Sequence, residues 1–103
     1  MSDIVRLIPV QEKIVRGNIT KDAQPDRARD VFARISSVGE REFYDAAQAG
    51  FELCLRADVW LDEYEGEGLL QHAGQEYRIV RTYRNARTRR AELYCEKVKG
   101  REG

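Results

Sequence analysis

The sequence predicts a mainly β domain, namely a small antiparallel barrel or rolled sheet of about six strands with one short helix between strands two and three. Short apolar runs with period-two alternation recur along the chain, and glycine-containing turns separate them at hairpin spacing. Helical spacing of apolar residues is seen between Ser37 and Gly50. At 103 residues the chain fits one domain, residues 1–103.

The first two predicted strands enclose a long polar segment. Residues 4–10 are nearly continuously apolar and β-branched up to Pro9, which is typical of a strand that is covered on both sides or lies in a barrel wall. Residues 29–37 alternate, with Val31 on the same face as two further apolar positions. Residues 11–27 are polar, highly charged and interrupted by turn formers, so we expect a mobile polar loop without regular structure.

The predicted helix begins near Ser37, which with Glu40 forms a capping-box pattern, and ends at Gly50. A helix of about ten residues is too short to persist alone in water, so it needs a neighbour. A narrow apolar stripe is expected to face the body of the protein, and it consists of Phe43, Ala46 and Ala47.

Four further strands follow the helix. Residues 51–60 alternate most clearly, residues 69–72 and 76–84 form a hairpin around a short glycine-containing turn, and residues 90–98 form the last strand. The third of these, residues 76–84, is apolar on both faces or bulged near Val80. Residues 99–103 are expected to be a frayed tail. The side chains predicted to share one core are Leu53, Leu55, Val59, Ile79 and Leu93.

Composition narrows the class of protein. Lys plus Arg and Asp plus Glu are equal at 18 each, which argues against a protein that coats nucleic acid nonspecifically. No apolar run approaches the length of a membrane helix, so we expect that the protein does not associate with a membrane. We also expect that it is synthesised in the cytoplasm. Cys54 and Cys95 lack the spacing of a zinc site and are expected to be buried free thiols.

Residues that carry chemistry are sparse. His72 is the single histidine and lies beside a predicted turn, which favours an ordinary strand-end role over a catalytic one. Gly66 and Gly68 precede a strand and not a helix, so they do not form a phosphate-binding loop. We therefore expect no enzyme activity, no metal and no cofactor. An acidic turn, interpreted as solvated, contains Asp58, Asp62, Glu63, Glu65 and Glu67.

A basic hairpin near the C-terminus has two interpretations. Its arginines are interleaved with tyrosines, so it could bind single-stranded nucleic acid, with arginines on phosphates and aromatic rings on bases. Alternatively, it pairs with carboxylates of this chain or of a partner, for example the acidic turn across a subunit boundary. The arginines are Arg78, Arg81, Arg84, Arg87, Arg89 and Arg90.

Four sequence blocks, in this order and spacing, resemble the head–tail connector proteins of tailed bacteriophages and prophages (head closure, stopper, or head–tail joining and adaptor proteins). The blocks are REFYDAAQAG at 41–50, YEGE at 64–67, GQEYRIVRTY at 74–83 and ELYC at 92–95. The resemblance covers residues 4–98, although residues 11–27 match only as a variable polar segment. Its specificity comes from the combination of blocks, because none of them is a catalytic signature.

The resemblance implies a structural virion protein. It would form a ring, dodecameric in the assembled connector, that closes the DNA-filled head and docks the tail. Its partners would be copies of itself, a portal-bound adaptor, a tail completion protein and the double-stranded DNA in the channel. The expected location is the head–tail interface of the virion, after assembly in the bacterial cytoplasm. The polar composition predicts a monomer when the protein is isolated.

The same resemblance implies that residues 39–51 are a projecting helix and loop, directed toward the ring's channel or a partner. Gly39 and Gly50 would be hinges, because glycine tolerates changes of backbone angle. The side chains presented there would be Glu40, Arg41, Glu42, Phe43, Tyr44, Asp45 and Gln48.

Overall fold

A computed structural model describes residues 3–98 of the chain. Two 3-10 turns, Pro25–Arg27 and Leu61–Glu63, connect regular elements. The strands and the helix, in chain order, are β1 (Asp3–Ile8), β2 (Val10–Val15), β3 (Asn18–Ala23), β4 (Arg29–Ser36), α1 (Glu40–Gln48), β5 (Leu53–Trp60), β6 (Leu69–His72), β7 (Gln75–Asn85) and β8 (Arg90–Lys97). The predicted frayed tail, residues 99–103, lies outside the described residues.

Six strands form a closed antiparallel barrel in the order β1-β4-β5-β8-β7-β6. The barrel closes where β6 pairs with β1, with Leu70 opposite Leu7. The helix α1 connects β4 to β5, which are the second and third barrel strands along the chain. The predicted fold class and the position of the helix are therefore confirmed. Within residues 3–98, no helix is long and apolar enough to cross a membrane.

The barrel interior is filled mainly by leucine, valine and alanine side chains from alternating positions. Leu55, Val59 and Leu93 lie in one buried cluster with Ile79 packed against it, as the sequence predicts. The remaining members of the buried cluster are Val5, Leu7, Val31, Ala33, Ala57, Tyr64, Leu70, Ala91 and Cys95.

Leu53 is an exception to the predicted core. It packs in a second cluster on the outer wall, with Ala46 and Tyr94. The register of β5 against β8 shifts between Leu53 and Leu55, so the strand alternation is broken there and Leu53 points to the opposite side. The bulge predicted near Val80 is confirmed by a register shift between Ile79 and Arg81.

The acidic turn is anchored to the barrel and not fully solvated. Tyr64 is buried in the core, and its hydroxyl donates a hydrogen bond to the carbonyl oxygen of Glu67 at 2.8 Å. The Glu67 side chain is 3 % exposed and accepts a hydrogen bond from the Arg29 guanidinium at 2.7 Å. It also accepts one from the backbone N–H of Glu65 at 2.9 Å. The solvated turn predicted from the sequence is therefore wrong for Glu67, and also for Asp58, whose side chain is 12 % exposed and accepts a hydrogen bond from Arg56 at 2.8 Å.

The prediction of an irregular segment at residues 11–27 is also wrong. Strands β2 and β3 form a separate two-stranded sheet, the hairpin arm, with a turn at Arg16-Gly17 in the left-handed region. Both faces of the arm carry polar residues, so hydrophobic alternation gives no signal. Its charges pair across the strands, Lys13 with Asp22 at 3.5 Å and Lys21 with Glu12 at 4.0 Å. Its mobility stays a prediction.

The base of the arm is fixed to the barrel by a close backbone approach. A Cβ atom on Gly68 would lie 3.0 Å from Val10 Cγ2, so a side chain at this position would displace the first residue of the arm. Gln24 donates its backbone N–H to the carbonyl oxygen of Pro9 at 2.9 Å, which joins the arm's two ends. An open cleft of about 830 Å³ separates the arm from the end of the barrel.

The two cysteines differ in environment. Cys95 is buried, as predicted, and its thiol donates a long hydrogen bond to the Leu93 carbonyl oxygen at 3.7 Å. Burial raises the pKa of the Cys95 thiol to about 12. Cys54 is exposed, which contradicts the prediction of a buried thiol. It lies between Leu53 and Leu55, where the β5 register shifts.

Candidate partner-binding site

The helix segment, residues 39–51, starts without the predicted capping box. The N-cap is Gly39 and no side chain caps the helix, because α1 begins at Glu40 and Ser37 therefore precedes the N-cap. The C-terminal end follows the prediction. Gly50 has φ +92°, and the N–H groups of Gly50 and Phe51 donate to the carbonyl oxygens of Ala47 and Ala46, both at 3.0 Å, in a Schellman arrangement.

The face of the helix that contacts the barrel is shifted from the predicted one and shares only Ala46 with it. Ala46 is buried, whereas Phe43 and Ala47 are exposed. One turn before Ala46, the carboxylate of Glu42 accepts a hydrogen bond from Arg81 of β7 at 3.0 Å. The face at positions 42 and 46 therefore docks the helix, and an ion pair replaces part of the expected apolar stripe. The carboxylate of Glu42, which was predicted to be presented to the channel or a partner, is instead bound to Arg81 of the same chain.

Few side chains hold α1 in place. Ala46 packs against Leu53 and Tyr94, and the surrounding cluster includes Val38, Phe51 and Val80. Since a nine-residue helix is unstable alone, these contacts and the Glu42–Arg81 pair stabilise it. The helix segment lies against the outer wall of the barrel and does not stand away from it.

Tyr94 lies beneath the helix and packs against Ala46. Burial, together with the hydrogen bond that its hydroxyl donates to Glu92 at 3.1 Å, raises its pKa to about 12. The Arg56 guanidinium lies 5.8 Å from the centre of its ring, and the ring of Tyr83 meets it edge-on at 5.7 Å.

The outward side of the helix is amphipathic. Phe43 and Tyr44 are 40 % and 60 % exposed, and their rings make an edge-on contact at 5.8 Å. The neighbouring charged and polar side chains that were predicted to be presented are also exposed, and they are Glu40, Arg41, Asp45 and Gln48. Apart from Glu42, the predicted side chains therefore share an accessible surface that can contact a partner.

The two proposed hinge glycines are not equivalent. Gly50 adopts the left-handed conformation that favours glycine, so a side chain there would be strained. Gly39 has φ −67°, which any residue adopts, and nothing lies near the position of a Cβ atom. The backbone thus gives a reason for glycine at position 50 alone.

The basic hairpin is largely engaged within the chain. Arg78 pairs with Glu96 and stacks on Phe51, with its guanidinium 5.9 Å from the ring centre. Arg84 lies 5.1 Å from the ring centre of Tyr64. Arg81, as described, is bound to the helix, Arg90 stacks on Trp60, and the exposed Arg87 and Arg89 lie in the turn after β7.

These contacts bear on both interpretations of the basic hairpin. Pairing with carboxylates of the same chain, one of the two alternatives, is observed for Arg78 and Arg81. In the acidic turn, Glu67 is occupied by Arg29 and is not available to a second subunit, while Asp62 and Glu65 are exposed and Glu63 is half-buried. A contact between the acidic turn of one copy and the basic hairpin of another would therefore involve the exposed residues alone, such as Asp62 and Glu65 on one side and Arg87 and Arg89 on the other.

Residues with potential for chemistry are not brought together. His72 is half-buried at the end of β6, beside the Ala73-Gly74 turn, as the sequence predicts. Within residues 3–98, no group of three or more His, Cys, Asp or Glu side chains is arranged to hold a metal ion.

Two features of the surface were missed by the sequence reasoning. The tip of the hairpin arm exposes Ile14 and Ile19, which lie directly opposite each other on β2 and β3. On the outer barrel wall, Ile4, Phe32 and Trp60 are also exposed. For Phe32 the sequence does contain a signal, because an apolar residue there occupies an outward position of the alternating strand β4.

No protein-family model matches the chain, and no curated protein matches it either.

Proposed function

We propose that this chain is a structural subunit of a bacteriophage head–tail interface, assembling as a ring that completes the DNA-filled head and docks the tail. The observation that carries the proposal is a closed six-stranded barrel with a short, weakly held helix between its second and third strands. This is the architecture that the resemblance of the four sequence blocks implies. A rigid barrel suits a ring wall, and a small surface helix suits a part that responds to a partner.

The helix segment is the functional element in this proposal. Its inner face is held by Ala46 and by the Glu42–Arg81 pair, so release needs the loss of few contacts. Its outer face presents Phe43 and Tyr44 for a protein partner, since aromatic residues are enriched at such interfaces. Repeated around a ring, docking and release of this segment would narrow or open the channel.

The experiment is deletion of the gene in the phage or prophage that encodes the chain. We expect DNA-filled heads that lack tails and lose DNA, visible by electron microscopy, and restoration of tailed particles by a plasmid-borne copy. A Glu42→Gln copy, which weakens the bond to Arg81, should restore fewer particles than wild type, while the exposed control Asp26→Asn, outside the helix segment, should restore them fully. Normal tailed particles without the gene would refute the proposal.

Binding to single-stranded nucleic acid is the competing function. Arg78 and Arg81 are paired with carboxylates, which leaves fewer cations for phosphates than the sequence suggests. A fluorescence titration with oligonucleotides at two salt concentrations should therefore give weak or no binding, whereas tight binding with a steep salt dependence would favour the competing function.

A further inference from the structure

Exposed apolar side chains form one row across three strands of the outer barrel wall. Ile4 lies directly opposite Phe32 on β1 and β4, and the two residues are 59 % and 55 % exposed. Arg34 of β4 is paired with Asp58 of β5. Two residues back along β4 and two residues on along β5, the same antiparallel register places Phe32 beside Trp60, which is 43 % exposed. We call Ile4, Phe32 and Trp60 the apolar row.

Cationic side chains flank the apolar row. On β8, Arg90 is paired with Trp60, and its guanidinium lies 4.8 Å from the centre of the Trp60 ring. The turn before β8 lies at the same end of the row, since Leu61 donates its N–H to the carbonyl oxygen of Arg89 at 2.8 Å. Four arginines on this part of the wall make no ion pair within residues 3–98, and they are Arg34, Arg87, Arg89 and Arg90.

Most carboxylates beside the row are already bound to other cations of the chain. Asp58, whose side chain is 12 % exposed, accepts hydrogen bonds from Arg56 at 2.8 and 3.0 Å. Arg56 also pairs with Glu92 at 3.3 Å, and Arg6 pairs with Asp30 at 2.9 Å. Two aspartates at the two ends of the row make no ion pair within the described residues, and they are Asp3 and Asp62. Arginines are therefore in excess among the unpaired charges around the row.

We infer that the apolar row docks an acidic segment of a partner protein, with apolar side chains on Phe32 and Trp60 and carboxylates on the unpaired arginines. Tryptophan and arginine are enriched among the residues that dominate binding energy at protein interfaces. A guanidinium binds a carboxylate through two parallel hydrogen bonds. The stack of Arg90 on Trp60 holds one guanidinium in place before the partner arrives, which lowers the entropy lost on binding.

The strand spacing sets the form of the partner segment. Neighbouring strands are about 4.8 Å apart, so the line from Ile4 through the row to Arg90 crosses four strands over about 14 Å. Arg34 lies about 7 Å to one side of this line, two residues along β4 from Phe32. An extended segment of four or five residues spans these distances at about 3.3 Å per residue. The segment therefore needs two neighbouring apolar residues with acidic residues on both sides.

A nucleic acid or an anionic lipid surface fits the wall less well. Both present phosphates at every position, so some would face the carboxylates of Asp30, Asp58 and Glu92. The ring of Trp60 is stacked with a guanidinium, and Ile4 has no ring, which leaves few ring faces for bases to stack on. A protein segment can place its carboxylates opposite the arginines alone.

Trp60 is the single tryptophan of the chain, so its fluorescence reports directly on the row. Iodide and caesium quenching at constant ionic strength tests the charge of the surface. The ratio of the iodide to the caesium quenching constant should exceed that of free N-acetyltryptophanamide at least about twofold, because a positive surface concentrates anions. The double variant Arg87→Glu, Arg89→Glu should lower the ratio. A wild-type ratio equal to that of the free indole would overturn the inference.

Binding is tested with three nine-residue peptides that lack tryptophan and share a Leu-Phe centre, with acidic, basic or serine flanks. The acidic peptide should shift Trp60 emission to shorter wavelength, with half-saturation below about 1 mM, and the basic and serine peptides should bind at least about fivefold more weakly. Phe32→Ala and the double variant Arg87→Glu, Arg89→Glu should each weaken binding of the acidic peptide at least about fivefold. Arg16→Glu, at an exposed arginine in the turn of the hairpin arm, is the matched control and should bind as wild type does. Circular dichroism checks that each variant is folded.

Several results would overturn the inference. One is equal binding of the acidic and basic peptides, and another is no response to the acidic peptide near 1 mM, on the order of the weakest contacts usually measured. Saturation by an oligonucleotide or by anionic vesicles at a lower concentration than by the acidic peptide would assign the row to a phosphate-bearing partner. Trp60 emission that changes with protein concentration alone would assign it to a second copy.

The inference does not rest on the proposed function, and the two outcomes are separable. Binding of the acidic peptide by a chain whose deletion leaves tailed particles intact would retain the docking surface and refute the connector function. Defective heads after deletion, together with no peptide binding at the row, would retain the function and refute the docking surface.

Discussion

Removal of Arg29 should destabilise the protein more than neutralisation of its partner Glu67. The Glu67 side chain is 3 % exposed and that of Arg29 is 35 % exposed, so Arg29→Ala leaves a buried carboxylate without its cation. Breaking a buried pair costs about 3–5 kcal/mol, and we expect about 3 because water reaches Arg29 and the Glu65 N–H still binds Glu67. Glu67→Gln keeps an acceptor for that N–H and should cost only about 1 kcal/mol.

The assay is urea unfolding at pH 7, with the free energy of unfolding compared among variants at equal protein concentration. Arg29→Ala combined with Glu67→Gln should be more stable than Arg29→Ala alone, because the stranded charge is gone. Arg6→Ala is the matched control, since Arg6 pairs with Asp30 on β1 and β4 at 2.9 Å but in solvent, and it should shift the midpoint little. Equal losses for Arg29→Ala and Glu67→Gln would refute the reasoning.

Three further predictions concern the core, the helix and the thiols. Leu55→Ala should cost about 2–5 kcal/mol in the same titration, the range for a truncated core leucine, and a loss below about 1 kcal/mol would contradict its burial. Backbone amides of residues 41–48 should exchange hydrogen earlier than those of β5, and equal protection would argue against a releasable helix. Stability should fall as pH rises from 9 to 12, because the unfolded thiol of Cys95 (pKa 9.0) and phenol of Tyr94 (pKa 10.0) ionise while the folded groups hold their protons to about 12. The loss in free energy of unfolding caused by Cys95→Ala should accordingly shrink as the pH rises over this range, and a loss that stays constant would contradict the reasoning. In the native protein, the exposed Cys54 should react with a thiol reagent and the buried Cys95 should not.

The barrel was predictable because its strands are half-buried and alternate. Val31 and Leu93 each follow the period of two that one apolar and one solvated face impose. The bulge near Val80 was visible for the same reason, as a change of face within a strand. The hairpin arm was not predictable in this way, since both of its faces are wet and its pairing is specified by the Arg16-Gly17 turn and by cross-strand charges.

The candidate site was predictable in position but not in detail. The location of α1 followed from its spacing and from Gly50, whereas the face that docks depends on Arg81, which is 39 residues from Glu42 in sequence. Long-range ion pairs leave no local periodicity, so the burial of Glu67 by Arg29 was equally invisible. The alternation of residues 29–37 is enough to put Phe32 on the face opposite Val31, but its neighbours on other strands depend on a register that only the fold supplies.

The closed barrel has a consequence for misassembly. Because β6 pairs with β1, the barrel is closed and, within residues 3–98, has no edge strand to which a foreign strand can add. The β2–β3 hairpin is a separate two-stranded sheet, so its outer edges remain open. Lys13 and Lys21 lie on these strands, and lysine on an edge strand discourages uncontrolled strand addition. In the many-subunit particle that we propose, where the local concentration is high, the arm is thus the place where aggregation could start, and its lysines oppose it.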